Sequence, residues 1–241
     1  MNEVIRQLNS RKSVRAYTDR EIGKEEKDAI LMAAAQAPTA GNQQLYTILD
    51  ITDQALKERL VETCDNQPMI AQAKLVLIFC ADCKKWYDAY LAVGCQTRKP
   101  GVGDLLLAAS DAMIAAQNAV TAAESLGIGS CYIGDIMENC EAQRALLKLP
   151  EYVFPVGMVI FGYPTEQQMR RPKPERVEMQ YVVHENTYQP LSDKTLEEMW
   201  SPRAGEKGYE AWMQAFCNRK YNSDFSQEMT RSVSKYLEQF K

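Results

Sequence analysis

The sequence predicts a mixed α/β fold of the α+β class, and three observations lead there. Four apolar runs of strand length, at 46–51, 75–81, 127–135 and 156–164, are separated by segments of helical periodicity. Residues 104–126 contain no Lys or Arg and are apolar almost all round, the pattern of a helix at the centre of a fold or across a subunit interface. Beyond about residue 193 the pattern is helical only, so the tail reads as an appendage to the sheet.

In chain order, Val4, Ile5 and Leu8 give a short first helix one apolar side, ending near Ser10. After the cationic stretch "RKSVRAYTDREI" (11–22), "IGKEEKDAILMAAAQAPTAGN" reads as a second helix. Gly23 is its N-cap, Glu26 stands three positions on, acidic residues fill the positive first turn, and Pro38 closes it. Thr39-Ala40-Gly41-Asn42 has turn chemistry. "YTILDI" and "LVLIFCA" are strands on either side of a helical pattern at 53–64. The long apolar helix leads into "GIGSCYIGD" (127–135), a short strand with glycines at both ends. "NCEAQRALLKL" is amphipathic, and "VGMVIFGYP" (156–164) is a strand stopped by Pro164. The polar, basic "TEQQMRRPKPERVE" (165–178) reads as a surface loop, and "SPRAGEKG" (201–208) as a breaker between tail helices.

Bulk properties narrow the function. A chain of 241 residues fits one large domain or two small ones. A formal charge of −4 argues against nucleic acid as the main partner. The polar start "MNEVIRQLNS" lacks the apolar core of a signal peptide. Asp111, Gln117 and Asn118 inside the apolar stretch argue against a membrane span. Seven irregularly spaced cysteines do not make a disulfide framework, and a reducing, cytoplasmic setting is expected.

The cationic stretch is the feature that points to chemistry. Arg11, Ser13 and Arg15 alternate, so in extended chain two guanidiniums and a hydroxyl share one face, with Lys12 between them. That donor comb suits phosphate oxygens, at on the order of 1.5–3 kcal/mol per charge-assisted bond. Spacing alone makes phosphate a candidate and names no ligand. Two more basic segments, Arg170-Arg171 with Lys173 and Arg176, and Arg219-Lys220, taken alone read more simply as solvated faces. No G-x-x-x-x-G-K-[ST] is present, and the glycines of "GIGSCYIG" precede their strand, so P-loop and Rossmann readings fail on context.

Taken together, "RKSVRAYTDREI", "AAAQAPTAGNQQ", "AAQNAVTAAESLGIGSCYIG" and "VHENTYQPL" resemble the nitroreductase family of FMN-dependent oxidoreductases, over roughly residues 1–191. The group most resembled is the oxygen-insensitive NADPH nitroreductases and NADPH-flavin reductases. The resemblance implies a central, mostly antiparallel sheet flanked by helices, in an intertwined homodimer with noncovalent FMN at the interface. It implies an FMN-binding domain at 1–191 and a helical C-terminal extension at 192–241. Arg11, Lys12, Ser13 and Arg15 would hold the phosphate and ribityl end. Pro38, Thr39, Ala40, Gly41 and Asn42 would line the ribityl chain or ring from the other subunit. Gln67 would reach the pyrimidine edge, and Tyr132, Ile133 and Gly134 would lie along the ring. Lys173 matches the lysine of the family's Lys-Pro-Arg motif, with Arg176 displaced by one residue. Arg219 or Lys220 would meet the 2′-phosphate of NADPH. The chain departs from the pattern in reading Lys173-Pro174-Glu175-Arg176, in carrying Asp135 where relatives have a second glycine, and in its tail.

The implied activity is a ping-pong transfer of a hydride from NADPH through FMN to small-molecule acceptors: nitroaromatics, quinones or free flavin. FMN supplies the redox chemistry, so no side chain is assigned as a catalytic acid or base. The competing readings are a same-fold flavoenzyme with another acceptor, as in reductive dehalogenation, and a flavin-binding sensor without turnover. A thiol redox protein built on Cys80-x-x-Cys83 is a third. His184, the only histidine, reads as structural, and no metal site is expected.

Overall fold

Four strands, β1 (Tyr46–Asp50), β2 (Leu75–Asp82), β3 (Gly129–Ile133) and β4 (Val153–Gly162), form one sheet in the order β1-β2-β4-β3. Every neighbouring pair is antiparallel. The computed structural model describes residues 1–241 and divides into two units, Met1–Pro172 with Glu228–Lys241, and Lys173–Gln227.

In the first unit the helices are α1 (Glu3–Ser10), α2 (Lys24–Ala35), α3 (Gln54–Thr63), α4 (Met69–Gln72) and α5 (Lys84–Ala92). They continue with α6 (Val102–Ser125), α7 (Cys140–Leu147) and the short α8 (Glu166–Arg170). β2 is buried at every position because helices cover both sheet faces, and this is why it reads as an unbroken apolar run. Leu75, Leu77 and Phe79 pack with Ile30 and Ala34 of α2 and Ala112, Ala116 and Val120 of α6. Val76, Ile78 and Cys80 point the other way, toward Leu60 of α3 and Ile70 of α4. The Gly23 cap acts as read, Gly23 N donating to Glu26 Oε2 at 2.8 Å, and the structure adds a second cap, the Asp53 carboxylate on α3 through Leu56 N at 3.0 Å.

Other elements differ from the sequence reading. β4 starts at Val153, three residues early, because Pro155 is accommodated where the β2–β4 register shifts between Phe79 and Cys80. A bulge tolerates the residue that lacks an N–H. α4, of four residues, is too short for a clear periodicity, α5 has no buried residue to give it an apolar core face, and α8 interrupts the expected surface loop. α6 is long and apolar enough to cross a membrane despite Asp111, Gln117 and Asn118. In this fold it is a core helix, with Ala108, Ala112, Ala115, Ala116, Ala119, Val120 and Ala123 fully buried.

The second unit contains α9 (Asp193–Ala204) and α10 (Tyr209–Lys220). α9 includes Pro202, so the break comes only at Gly205 and Gly208, both at positive φ. Trp200, Trp212 and Phe216 stack in series between the two helices. α11 (Asp224–Leu237) starts in this unit and, from Glu228 on, belongs to the first. There Tyr236 is fully buried edge-on to Phe154, and Ser232 Oγ donates to Met137 O at 2.6 Å while accepting from Cys140 N at 2.9 Å.

Candidate functional site

Residues 13–17 run extended beside the edge strand β3, with Ser13 bridged in parallel to Ser130 and Tyr17 in antiparallel to Pro164. Two glycines permit that closeness. Gly129 and Gly162 face each other across the β3–β4 ladder. A Cβ on Gly129 would stand 2.6 Å from Val14 Cγ2, and one on Gly162 would stand 2.6 Å from the Tyr17 ring. Val14 N donates to Ser130 O at 2.9 Å, and the Tyr17 hydroxyl to Val14 O at 2.9 Å. Alternation is therefore enforced: Val14 is buried while Arg11, Ser13 and Arg15 lie on the other side of the chain.

These three side chains meet around Cys131. Burial pushes the Cys131 thiol up, opposed by the Arg15 charge, a hydrogen bond from Ser13 and the Arg11 charge. Arg11 also faces Tyr132, whose phenol burial pushes up to about 12 against that nearby cation. Lys12 points away; its ammonium is bonded to Met169 O at 2.7 Å and to Arg171 O. The 165–171 segment is thereby sewn to the comb, helped by Arg15 N to Gln168 Oε1 at 3.2 Å and Thr165 N to Ala16 O at 3.3 Å.

This stitching brings in a cation to which the sequence assigns no role. Arg171 donates from Nη2 to Ser13 O at 2.5 Å, and its Nε is buried without a hydrogen-bond partner. Arg11 Nη1 and Ser130 Oγ are likewise buried and unpartnered. Unpaired buried donors are costly, and all three belong to residues linked through Ser13 or its neighbours: Ser130 bridges Ser13, Arg171 bonds Ser13 O, and Arg11 with Ser13 acts on Cys131. They are the complement of an anion with several acceptor oxygens, so the residues present fit a phosphate group. The signal for Arg171 lay in the "RRPKP" run, but only the fold separates its role from that of its basic neighbours.

The 38–42 segment is held from beneath by a residue that sequence reading noticed only as a polar interruption of a helix. Asp111, 3% exposed on α6, accepts from the Thr39 hydroxyl, from Ala40 N at 2.9 Å and from Leu45 N at 3.2 Å. Thr39 Oγ1 in turn accepts from Gln44 N at 2.8 Å. The loop can then run through positive φ at Gly41, Asn42 and Gln44. Pro38 precedes this pinned turn.

At the far end of β3, Tyr132 and Ile133 lead into a 3-10 turn, Gly134–Met137, which carries Asp135. Tyr132 donates its hydroxyl proton to Gln117 Oε1 of α6 at 3.3 Å. Gln67 sits after α3, its Nε2 bonded to Cys64 O at 3.1 Å. The two segments are tied together: Asn139 Nδ2 donates to Thr63 O at 3.0 Å and Gln143 Nε2 to Thr63 Oγ1 at 3.1 Å. The first unit thus brings Arg11, Ser13 and Arg15 to Cys131 and Arg11 to Tyr132, while Ile133 packs into the core and the end of α3, just before Gln67, is tied to the segment after the turn. Lys173, Arg176, Arg219 and Lys220 belong to the second unit. There Arg219 lies over the Phe216 ring at 5.2 Å, and His184 Nδ1 accepts from Gln189 N at 3.0 Å in a turn.

The C-x-x-C pair lacks the environment of a reactive dithiol. Cys80 and Cys83 are both buried, and burial, with nearby carboxylates, pushes each thiol up to about 12. Attacking thiolates need the opposite setting.

The fold is a helix-clad antiparallel sheet of the α+β class, with Arg11, Arg15 and Arg171 gathered beside its edge strand β3. The chain belongs to the nitroreductase family, which residues 8–163 match. It is 31% identical over 245 residues to the NAD(P)H FMN reductase of Bacillus subtilis (strain 168), covering 99% of this chain and 92% of that protein. It is 38% identical over 197 residues to the oxygen-insensitive NADPH nitroreductase of Salmonella typhimurium, covering 81% of this chain and 79% of that one. Among solved structures, that of Bacillus megaterium NfrA2 superposes with a TM-score of 0.85 at 32% identity over 98% of each chain.

Proposed function

We propose that this chain is an FMN-dependent oxidoreductase that uses NAD(P)H to reduce nitro compounds or flavin. One observation supports the reading: Arg11, Arg171 and Ser130 each keep a buried, unpartnered donor, and Ser13, which bridges Ser130 and accepts from Arg171, joins them into a set that suits a phosphate. Similarity to an FMN reductase and an NADPH nitroreductase supports the cofactor and the class of reaction. The bound flavin supplies hydride acceptance from the nicotinamide and two-electron delivery to the acceptor.

The chain's own residues bind and orient. Arg11, Ser13, Arg15 and Arg171 hold the phosphate, and Lys12 fixes the 169–171 carbonyls that keep Arg171 in place. The Asp111-pinned turn 38–42 forms one wall, and Gln67 with Tyr132, Ile133 and Gly134 forms the ring contacts. With FMN bound, the Arg11, Arg15 and Arg171 cations would place fixed positive charge beside its negative charge.

The same reading includes a homodimer. It accounts for Leu106, Leu107 and Ile114 on α6 and Val4, Ile5 and Leu8 on α1, all apolar and exposed on one chain. The seven unpaired cysteines fit a reducing cytoplasm.

Visible absorbance of the purified protein tests the proposal. Twin flavin bands that co-elute with it after FMN addition, and bleach with NADPH under nitrogen, are expected. A protein that neither retains FMN nor oxidises NADPH refutes it. Elution at the single-chain mass of 27.3 kDa would refute the dimer.

A further inference from the structure

Beside the turn that ends β3, four carboxylates from three parts of the first unit approach one another without a cation at their centre. Glu138 follows the 3-10 turn and is only 5% exposed, and its Oε1 has no hydrogen-bond partner. Asp135 faces it from the same turn, Asp65 from the loop after α3, and Glu228 from α11. The cation near this group is already engaged. Arg231 binds Glu228 through Nε at 2.7 Å and Nη2 at 2.9 Å, and Glu141 of α7 through Nη1 at 3.0 Å and Nη2 at 2.9 Å. The remaining titratable neighbour, Cys64, is a thiol that burial and Asp135 push up to about 12, so it stays neutral.

We propose that Glu138 is a positioning residue for the flavin-ring wall, closing the Gln67 loop onto the Gly134 turn when its carboxyl is neutral and loosening both when ionised. The inference rests on the flavin reading above and adds a control that reading does not contain. Glu138 sits where the two segments are stitched, next to Asn139, whose side chain holds Thr63 O. A neutral carboxyl there meets three like-charged neighbours without repulsion. An ionised one adds a buried, unpaired negative charge to them. Relief comes by moving Asp65 and its loop outward, because Glu228 is anchored by Arg231 and Asn139 N. Burial and the three neighbouring carboxylates hold the Glu138 carboxyl up at about 7, so the change falls near neutral pH. Gln67 and Gly134 flank this junction, so their grip on the ring follows its charge.

The test is the FMN dissociation constant, read by flavin fluorescence from about pH 5 to about pH 8, for the full-length protein and Glu138→Gln. The phosphate's own titration near pH 6 acts on both proteins alike, so the expected result is a wild-type affinity that weakens roughly fivefold or more relative to the isosteric amide as pH rises through that range. Asp65→Asn, at an exposed position, moves the wild-type transition to lower pH and keeps the proposal testable should the amide fail to fold. Superimposable profiles for wild type and Glu138→Gln overturn the proposal while leaving the flavin reading intact, as does a transition unmoved by Asp65→Asn. Failure to bind FMN at any pH overturns both.

Discussion

Replacing Asp111 by Asn tests whether one buried carboxylate of the core helix builds the 38–42 wall of the cofactor site. Its two oxygens accept from the Thr39 hydroxyl, Ala40 N and Leu45 N, and no donor faces it that needs a donor in return. Asparagine keeps the volume but has one acceptor oxygen. That oxygen can hold Ala40 N. The amide group then points at Leu45 N, a buried donor, while Thr39 Oγ1 turns its proton away and accepts from the amide beside its bond from Gln44 N. One buried N–H left unpaired costs about 1–3 kcal/mol, and the surviving bonds lose their charge assistance. The sum is about 3 kcal/mol. Urea unfolding followed by circular dichroism reads it as a lower midpoint with an unchanged slope. FMN titration of the same variant reads the loop: an affinity loss of tenfold or so is expected once the turn is released. An unchanged midpoint refutes the hydrogen-bond argument. A lowered midpoint with wild-type FMN affinity removes the turn from the cofactor site.

Arg171→Ala removes one guanidinium from the cradle and should weaken FMN binding by about tenfold or more, with a shallower salt dependence; wild-type affinity in fluorescence titration would exclude Arg171 from the phosphate. Gly129→Ala places a Cβ 2.6 Å from Val14 Cγ2, so the strand carrying Ser13 must shift. A loss of about 1–3 kcal/mol in urea stability is expected, and FMN affinity should fall with it. Cys83→Ser should leave NADPH oxidation intact, because a thiol held up at about 12 is no nucleophile at neutral pH; loss of turnover with FMN still bound would revive the dithiol reading. Apo-protein stability should fall as pH rises from about 4.5 to about 7, because folded Glu138 holds its proton more tightly than the unfolded chain does. The contribution is fully present below the unfolded value and lost through the folded one, at most about 3 kcal/mol, and Glu138→Gln should remove that slope.

Sequence alone determined the parts governed by short-range chemistry. Apolar runs flanked by turn residues became β1 to β4, the Gly23–Glu26 box started α2, and the alternation of Arg11, Ser13 and Arg15 placed three donors on one side. Each depends on backbone periodicity and near neighbours, which a linear string contains. The family likeness came from motif order, which the match over residues 8–163 bears out. Tertiary structure decided what depends on distant partners. Nothing in "RRPKPER" separates Arg171 from Arg170, since only the bond to Ser13 O, across 158 positions, gives it a role. Asp111 looked like a polar flaw in an apolar helix until the 39–45 loop folded over it. Glu138 reads in sequence as an ordinary acidic residue. Its burial, and the approach of Asp65 and Glu228 from elsewhere in the chain, make it a titrating group near neutral pH. Solvation and Coulomb interactions act through space, and position in space is what a chain acquires only by folding.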